Sequence, residues 1–249
     1  MRYLTLVGVL GTFLGLAGAG LADEEAEKIL KKAIAAHGGA EVLAKNKNKA
    51  VTQKAKGHIH HFNTDATIEL FSAGGKTKQV MQLTIMGMEI NQIVCFDGKE
   101  MWTARNGKVE KSFSSKEELA AIEQQHHAVR AAGLLYLQEK GIGLSPNGET
   151  TVEGKPAVGI RVSKKDYKDV NLYFDKESGL LVKIESMTFD LMSGGEVAEE
   201  RTITAYQTVA GQKRPAKVNV VRDGMKVIDV EFTETNLVDK LDDDTFAKP

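Results

Sequence analysis

The sequence holds a single cysteine, Cys95, and four prolines. One thiol cannot form a disulfide within the chain or supply a thiolate zinc site. Charge of either sign is not in excess: 33 basic and 34 acidic side chains leave a net charge of −1. A balance so even gives no electrostatic footprint for nucleic acid. Beyond the first 22 residues no apolar run is long enough to span a bilayer. There is no Gly-x-Ser-x-Gly elbow, no glycine-rich phosphate loop and no His-Glu-x-x-His. The sequence therefore points away from an enzyme and calls for no cofactor. Hydrophobic residues make up 42% of it, too many for a disordered chain. Its 249 residues can bury a sizeable core.

The opening segment is unlike the rest. Arg2 is the only charge before Asp23, and Tyr3 to Ala22 is an uncharged run. Small residues close it, Ala17-Gly18-Ala19 and then Gly20-Leu21-Ala22. A basic start, an apolar centre and a small-x-small end describe a secretory signal peptide, with cleavage expected after Ala22. The alternative is an uncleaved anchor. Residues 1–22 are read as the signal and 23–249 as one exported, periplasmic domain. In an oxidising compartment Cys95 is expected to be a buried, inert thiol within Ile93-Val94-Cys95-Phe96.

Helical spacing of Ala26, Ile29, Leu30, Ala33 and Ile34 predicts an amphipathic helix over 23–36, ended by His37-Gly38-Gly39. From about Ala50 the period changes to two. Met81, Leu83 and Ile85 alternate with Gln82 and Thr84, and Asp97-Gly98 and Asn106-Gly107 are hairpin signals. Ser115 with Glu118 three residues later is a capping box opening a helical segment over about 115–140. Leu119, Ile122, His126, Val129 and Gly133 follow the helical period, and Ala131 to Leu137 is apolar nearly all round. Gly133 is a natural division of that segment. Strands then resume to the C-terminus, with Ser145-Pro146-Asn147-Gly148 read as a turn.

The expected class is α+β, mainly β. Roughly ten alternating strands need their apolar face covered, by closure into a barrel or by a second layer. An apolar helical segment between two halves of a meander suits a half-open barrel with a lid.

Several segments also carry a resemblance. They are Ala33-Ile34-Ala35-Ala36-His37-Gly38-Gly39, Cys95-Phe96-Asp97-Gly98-Lys99-Glu100-Met101-Trp102, Val152 to Val158, Asp169 to Lys183, and Leu241-Asp242-Asp243-Asp244-Thr245-Phe246. Together they resemble exported bacterial proteins of the LolA/LolB-like superfamily, the outer-membrane lipoprotein-sorting proteins. That resemblance implies an unclosed antiparallel β-barrel of about eleven strands with helices closing its mouth. It also implies a cavity for lipoprotein acyl chains or other lipids.

The cavity is expected to be lined by Met81, Leu83, Ile85, Met88 and Ile90. The lid is expected to contribute Leu119, Ile122, Val129, Leu134 and Leu137. Met81, Met86, Met88 and Met101 form a methionine group, a residue type suited equally to a variable cavity and to core gap-filling. The expected partner is a lipid or an acylated protein. Two alternatives stay open: an envelope protein-interaction or sensor module without lipid cargo, and a metal-binding protein using His58 and His60. Alternation puts those two histidines on one face of a strand, and a third, His126 or His127, would come from the helix.

Overall fold

The computed structural model describes residues 17–190 and 194–249. The expected signal segment falls mainly on residues 1–16, outside the described residues. Among the described residues there are three α-helices: α1 (Ala17–Ala36), α2 (Ala40–Asn46) and α3 (Lys116–Ala132). Helix α1 extends further toward the N-terminus than the 23–36 expected from its periodicity. It stops where His37-Gly38-Gly39 predicts. Gly38 and Gly39 have φ of +119° and +85°, and the Gly39 amide donates to the Ile34 carbonyl at 2.9 Å. Gly38 is required on a second count. A Cβ there would stand 2.5 Å from the Gly211 carbonyl oxygen, inside any real contact.

Thirteen strands form one antiparallel sheet. They are β1 (Ala50–Ile59), β2 (Thr64–Ala73), β3 (Lys76–Ile85), β4 (Met88–Phe96), β5 (Met101–Arg105) and β6 (Lys108–Phe113), then β7 (Ile142–Val152), β8 (Lys155–Lys164), β9 (Val170–Asp175), β10 (Leu181–Asp190), β11 (Gly195–Val209), β12 (Gln212–Arg222) and β13 (Met225–Val238). The order is β6-β5-β4-β3-β2-β1-β13-β12-β11-β10-β9-β8-β7. Every neighbour is a hairpin partner except β1 and β13, the first and last strands. The two edges, β6 and β7, are consecutive in the chain, and α3 lies between them. The sheet is unclosed, as expected, and has thirteen strands where about eleven were expected.

The additional strands are those with the weakest patterns. β6, Lys-Val-Glu-Lys-Ser-Phe, is exposed along all but its last residue, so it has no buried face to betray it. Its charges also blunt an open edge. β7 runs straight through Ser145-Pro146-Asn147-Gly148, because a bulge between Pro146 and Glu149 absorbs the sequence expected to turn.

Most of the core lies under the helices. Leu30, Ala33 and Ile34 of α1 and Ala128 and Ala131 of α3 pack with Ile160, Val162, Val170, Leu172, Phe174 and Ile184. The capping box is formed: the Glu118 amide donates to Ser115 Oγ at 3.2 Å, and the Ser115 amide donates to Glu118 Oε2 at 3.1 Å. Helix α3 ends at Ala132, Gly133 caps it, and a 3-10 turn, Leu135–Gln138, follows. The apolar run is therefore split at Gly133.

Helix α3 meets two different surfaces. Its first turns, through Leu119 and Ile122, pack on Phe96, Met101 and Phe113 of β4–β6, while Ala128 and Ala131 join the core of β8–β10. The buried stripe accordingly runs through His127 and Ala128, and Val129 faces solvent at 52% exposure.

His127 is fully buried. Its Nδ1 lies 3.0 Å from the Tyr136 hydroxyl, which also accepts from Lys164 Nζ at 2.8 Å. Burial, then the nearby charges of Lys164 and Arg130, depress its pKa to about 4. An unfolded histidine titrates near 6.5, so between pH 6.5 and 4 the unfolded state binds the extra proton. Stability from this group is full above pH 6.5 and is lost as pH falls toward 4, a change of about 3 kcal/mol. We expect His127→Phe to flatten the dependence of unfolding free energy on pH across that window. An unchanged slope would show that other groups carry it.

Candidate functional site

Pairing register places apolar residues in rows across the centre of the sheet. Val218, Val230, Gly57, Ala66, Leu83 and Ile90 are direct partners in turn across β12, β13, β1, β2, β3 and β4. On the same face Ile68 and Ala55 are buried, with Met81, Leu70, Ile228 and Phe232 half-buried around them. Gly57 leaves room there, since a Cβ would come within 3.0 Å of the Ile68 and Ile228 side chains. This face continues that of Ile203 and the helix-covered core through the Ile203–Val218 pair.

The adjacent row points the other way. Lys217, Glu231, Lys56, Thr67, Gln82 and Asn91 are direct partners across the same six strands. They floor a recess of about 1230 Å³ that also takes in His58, Asp65, Asn106 and Asp229. The centre of the sheet thus has an apolar side and a polar, recessed side, back to back, as period-two alternation requires.

A charged cluster interrupts the apolar face at β10–β12. Glu199 is 1% exposed. Its carboxylate accepts from Arg201 Nε at 2.6 Å and from Arg222 Nε at 2.8 Å, and Arg222 Nη1 reaches Asp190 at 3.1 Å. Burial raises the Glu199 pKa, but the two guanidinium groups outweigh it and hold the carboxyl below its ordinary value. Sequence reasoning passed over this cluster. The available signal was parity: Val197, Glu199, Arg201 and Ile203 alternate with exposed or half-exposed neighbours, so two charges share the face of a core isoleucine.

The residues singled out from sequence fall into three places. Met81, Leu83, Ile85, Met88 and Ile90 lie on one face of β3 and β4, where Leu83 faces Ile90 and Ile85 faces Met88. Leu119 and Ile122 pack against Phe96. Leu134 and Leu137 are buried in the helix-side core and do not line the large recess. Of the methionine group, Met101 is buried beside Phe96, whereas Met86 is 94% exposed.

His58 and His60 do share a face, with ring centroids 5.1 Å apart. Each is engaged by its own carboxylate, His58 by Asp65 at 2.8 Å and His60 by Asp229 at 2.9 Å. The helix histidines lie elsewhere, His126 against Phe96 and His127 against Tyr136. Among the described residues no group of three or more His, Cys, Asp or Glu side chains could hold a metal ion. No described helix is long and apolar enough to cross a membrane.

Cys95 is buried, and burial raises its thiol to a pKa of about 11, out of reach of nucleophilic use at neutral pH. It pairs with Trp102 on the face opposite Phe96 and Met101. Both are covered by the C-terminal segment, through Phe246 and Leu241.

No family model matches the sequence, and no curated protein matches it either. Solved structures do match in three dimensions. A LolA superfamily protein from Nitrosomonas europaea superposes with a TM-score of 0.52 at 15% identity, over 90% of this chain and 97% of that one. A DUF1329 family protein from Desulfovibrio piger superposes with a TM-score of 0.53 at 12% identity, over 89% and 96%. Likeness at such low identity speaks to the path of the chain and not to its ligand. With the single unclosed antiparallel sheet and its intervening helix, it shows that this chain has a LolA-like fold.

Proposed function

We propose that the chain is an exported, periplasmic carrier or sensor that binds a hydrophobic ligand, a lipid or the acyl chain of an acylated protein, and performs no catalysis. The observation that carries this reading is the apolar face of β13, β1, β2, β3 and β4. It is continuous with the core, yet the main helix packing falls on β7–β10, and Met81, Leu83, Ile85 and Ile90 are left half-buried. Helix α3 supports the role of a lid. It follows edge strand β6, precedes edge strand β7, and touches both limbs of the sheet. Moving an acyl chain from water onto such a surface gains about 0.8 kcal/mol per buried CH₂. Displacing α3 from Phe96 and Phe113 would offset part of that gain, and this opposition would set affinity and release.

Protein purified from its native envelope should yield lipid on organic extraction, and the delipidated protein should bind a fluorescent fatty acid. The double substitution Leu83→Gln with Ile90→Gln should weaken that binding about tenfold or more, since it removes two apolar partners of the chain. No extractable lipid together with no fatty-acid binding would overturn the reading.

The polar recess favours a second reading, an envelope protein-interaction module. Its floor offers Lys56, Thr67, Gln82 and Asn91 to a polar partner surface. Capture of one partner by lipid-free protein, abolished by Gln82→Ala with Asn91→Ala, would support it.

A further inference from the structure

Arg214 of β12 carries a positive charge that nothing in the fold answers. Its Nε is buried and has no hydrogen-bond partner. Among the described residues no carboxylate pairs with this guanidinium, and burial alone pulls its pKa below the ordinary arginine value. Glu234, beside β12 on β13, is engaged by Lys54 and Asn236 instead. The contrast is with Arg201 and Arg222, which both donate to Glu199. An arginine cannot escape the cost of burial by losing its proton, so a charge left alone here works against the fold.

The strands around Arg214 leave room for a ligand. β12 and β13 pair only from Lys217–Glu231 to Arg222–Met225. Beyond Lys217, β12 follows β11 to Gln212, and β13 follows β1 to Val238. The two strands therefore part, and Arg214 stands at the parting. Gln207, its direct partner on β11, spans the gap. Gln207 Nε2 donates to the Pro215 carbonyl at 3.5 Å and to Thr235 Oγ1 at 3.0 Å. Gln53 Nε2 donates to the same hydroxyl at 3.3 Å. Thr235 is buried, and its own proton has no acceptor among the described residues. A guanidinium and a hydroxyl thus offer unused donors at one place. That place adjoins the apolar face. Gln53 is the direct partner of Leu70, which packs with Ile68, Ala55 and Phe232. From Gln53 the same face of β1 runs to Ile59, about 20 Å, the reach of a long acyl chain.

We propose that Arg214 binds the headgroup of the cargo, and that the cargo is a lipid ending in an oxyanion, a carboxylate or a phosphate. This rests on the carrier reading and narrows it, since an acyl chain joined to a protein by an ester or amide offers no such anion. The planar guanidinium fork matches two oxygens of either headgroup. The Thr235 hydroxyl supplies a further donor, held in place by Gln53 and Gln207. The acyl chain then lies along the apolar rows of β1 and β2, pointing away from Arg214. The bound anion relieves the isolated buried charge, so the headgroup binds more strongly than it would to a solvated arginine.

The test is calorimetric titration of the delipidated full chain, at neutral pH, with two matched pairs of probes. One pair is a long-chain fatty acid and its methyl ester, the other an alkyl phosphate and the corresponding alcohol. Wild-type protein should bind the anionic member of at least one pair about tenfold more tightly than its neutral mate. Arg214→Gln should lose that preference and bind the neutral mate as before. Its melting temperature should be equal or higher, because it removes an uncompensated charge, whereas a guanidinium needed by the fold would make it fall. Arg214→Lys, which keeps the charge without the fork, should retain part of the preference. Acetate or inorganic phosphate at about 10 mM should leave the preference intact. If either abolishes it, the site takes a free anion and the lipid assignment falls. Equal binding of anionic and neutral probes by wild type would overturn the proposal and leave the carrier reading standing. A preference that survives in Arg214→Gln, or an Arg214→Gln chain that no longer folds, would overturn it too. Wild type that binds none of the four probes sinks the carrier reading itself.

Discussion

Replacing Glu199 by alanine is expected to destabilise the fold by about 3–5 kcal/mol, because it leaves guanidinium groups without their buried counter-charge. Glu199 is the most deeply buried charge on the apolar face, and Arg201 and Arg222 both donate to it. Neither arginine can shed its charge; Arg222 keeps Asp190, whereas Arg201 must find water or distort the strands. Urea unfolding followed by circular dichroism measures the loss directly. Glu199→Gln should cost less, since it keeps the shape and one acceptor oxygen. The carboxyl is held below its ordinary pKa, so its contribution is full above pH ~4.5 and is lost as pH falls through the lower folded value. The alanine variant should therefore differ least from wild type in strong acid. A cost under about 1 kcal/mol would mean that the cluster is solvated and not a buried network.

That cluster also shows where sequence reading stops. Alternation found most of the strands because one face of each is apolar, and the helix boundaries at Gly38, Ser115 and Gly133 were legible because capping chemistry is local. β6 was signalled only by the Asn106-Gly107 turn before it, since a solvated edge strand has no apolar face, and β7 was hidden by a proline and a glycine inside a bulge. Helix α3 misled in its face. Helical spacing gives a stripe but not its partner, and Tyr136 with Lys164 holds His127 inward while Val129 turns out. The five residues of β3 and β4 do share one face, because register and parity are written in the sequence. Their distance from Leu134 and Leu137 is not. Long-range placement depends on how thirteen strands curl, which no local pattern encodes.

Phe246→Ala is expected to destabilise the chain by about 2–4 kcal/mol and to uncover a surface far from it in sequence. The C-terminal segment has no regular structure, yet it seals the outer side of β3–β5. Phe246 is 8% exposed and packs with Trp102 and Cys95. Polar contacts hold the segment in place: Lys78 Nζ donates to the Thr245 carbonyl at 2.8 Å, and Lys248 pairs with Glu100 at 2.7 Å. These exposed ends contribute little singly, so the phenylalanine is the anchor. Trp102 is the only tryptophan and is fully buried, so its emission reports this seal alone. Removing the ring should move that emission to the red and make Cys95 react with a thiol reagent about tenfold faster or more, as its burial-raised pKa relaxes toward that of a free thiol. Lys248→Ala should change neither reading appreciably, since it removes only an exposed ion pair. Unchanged emission and unchanged labelling in Phe246→Ala would mean that β3–β5 bury Trp102 and Cys95 by themselves. The resemblance carried by Leu241 to Phe246 would then mark a bystander and not the piece that closes the outer face of the sheet.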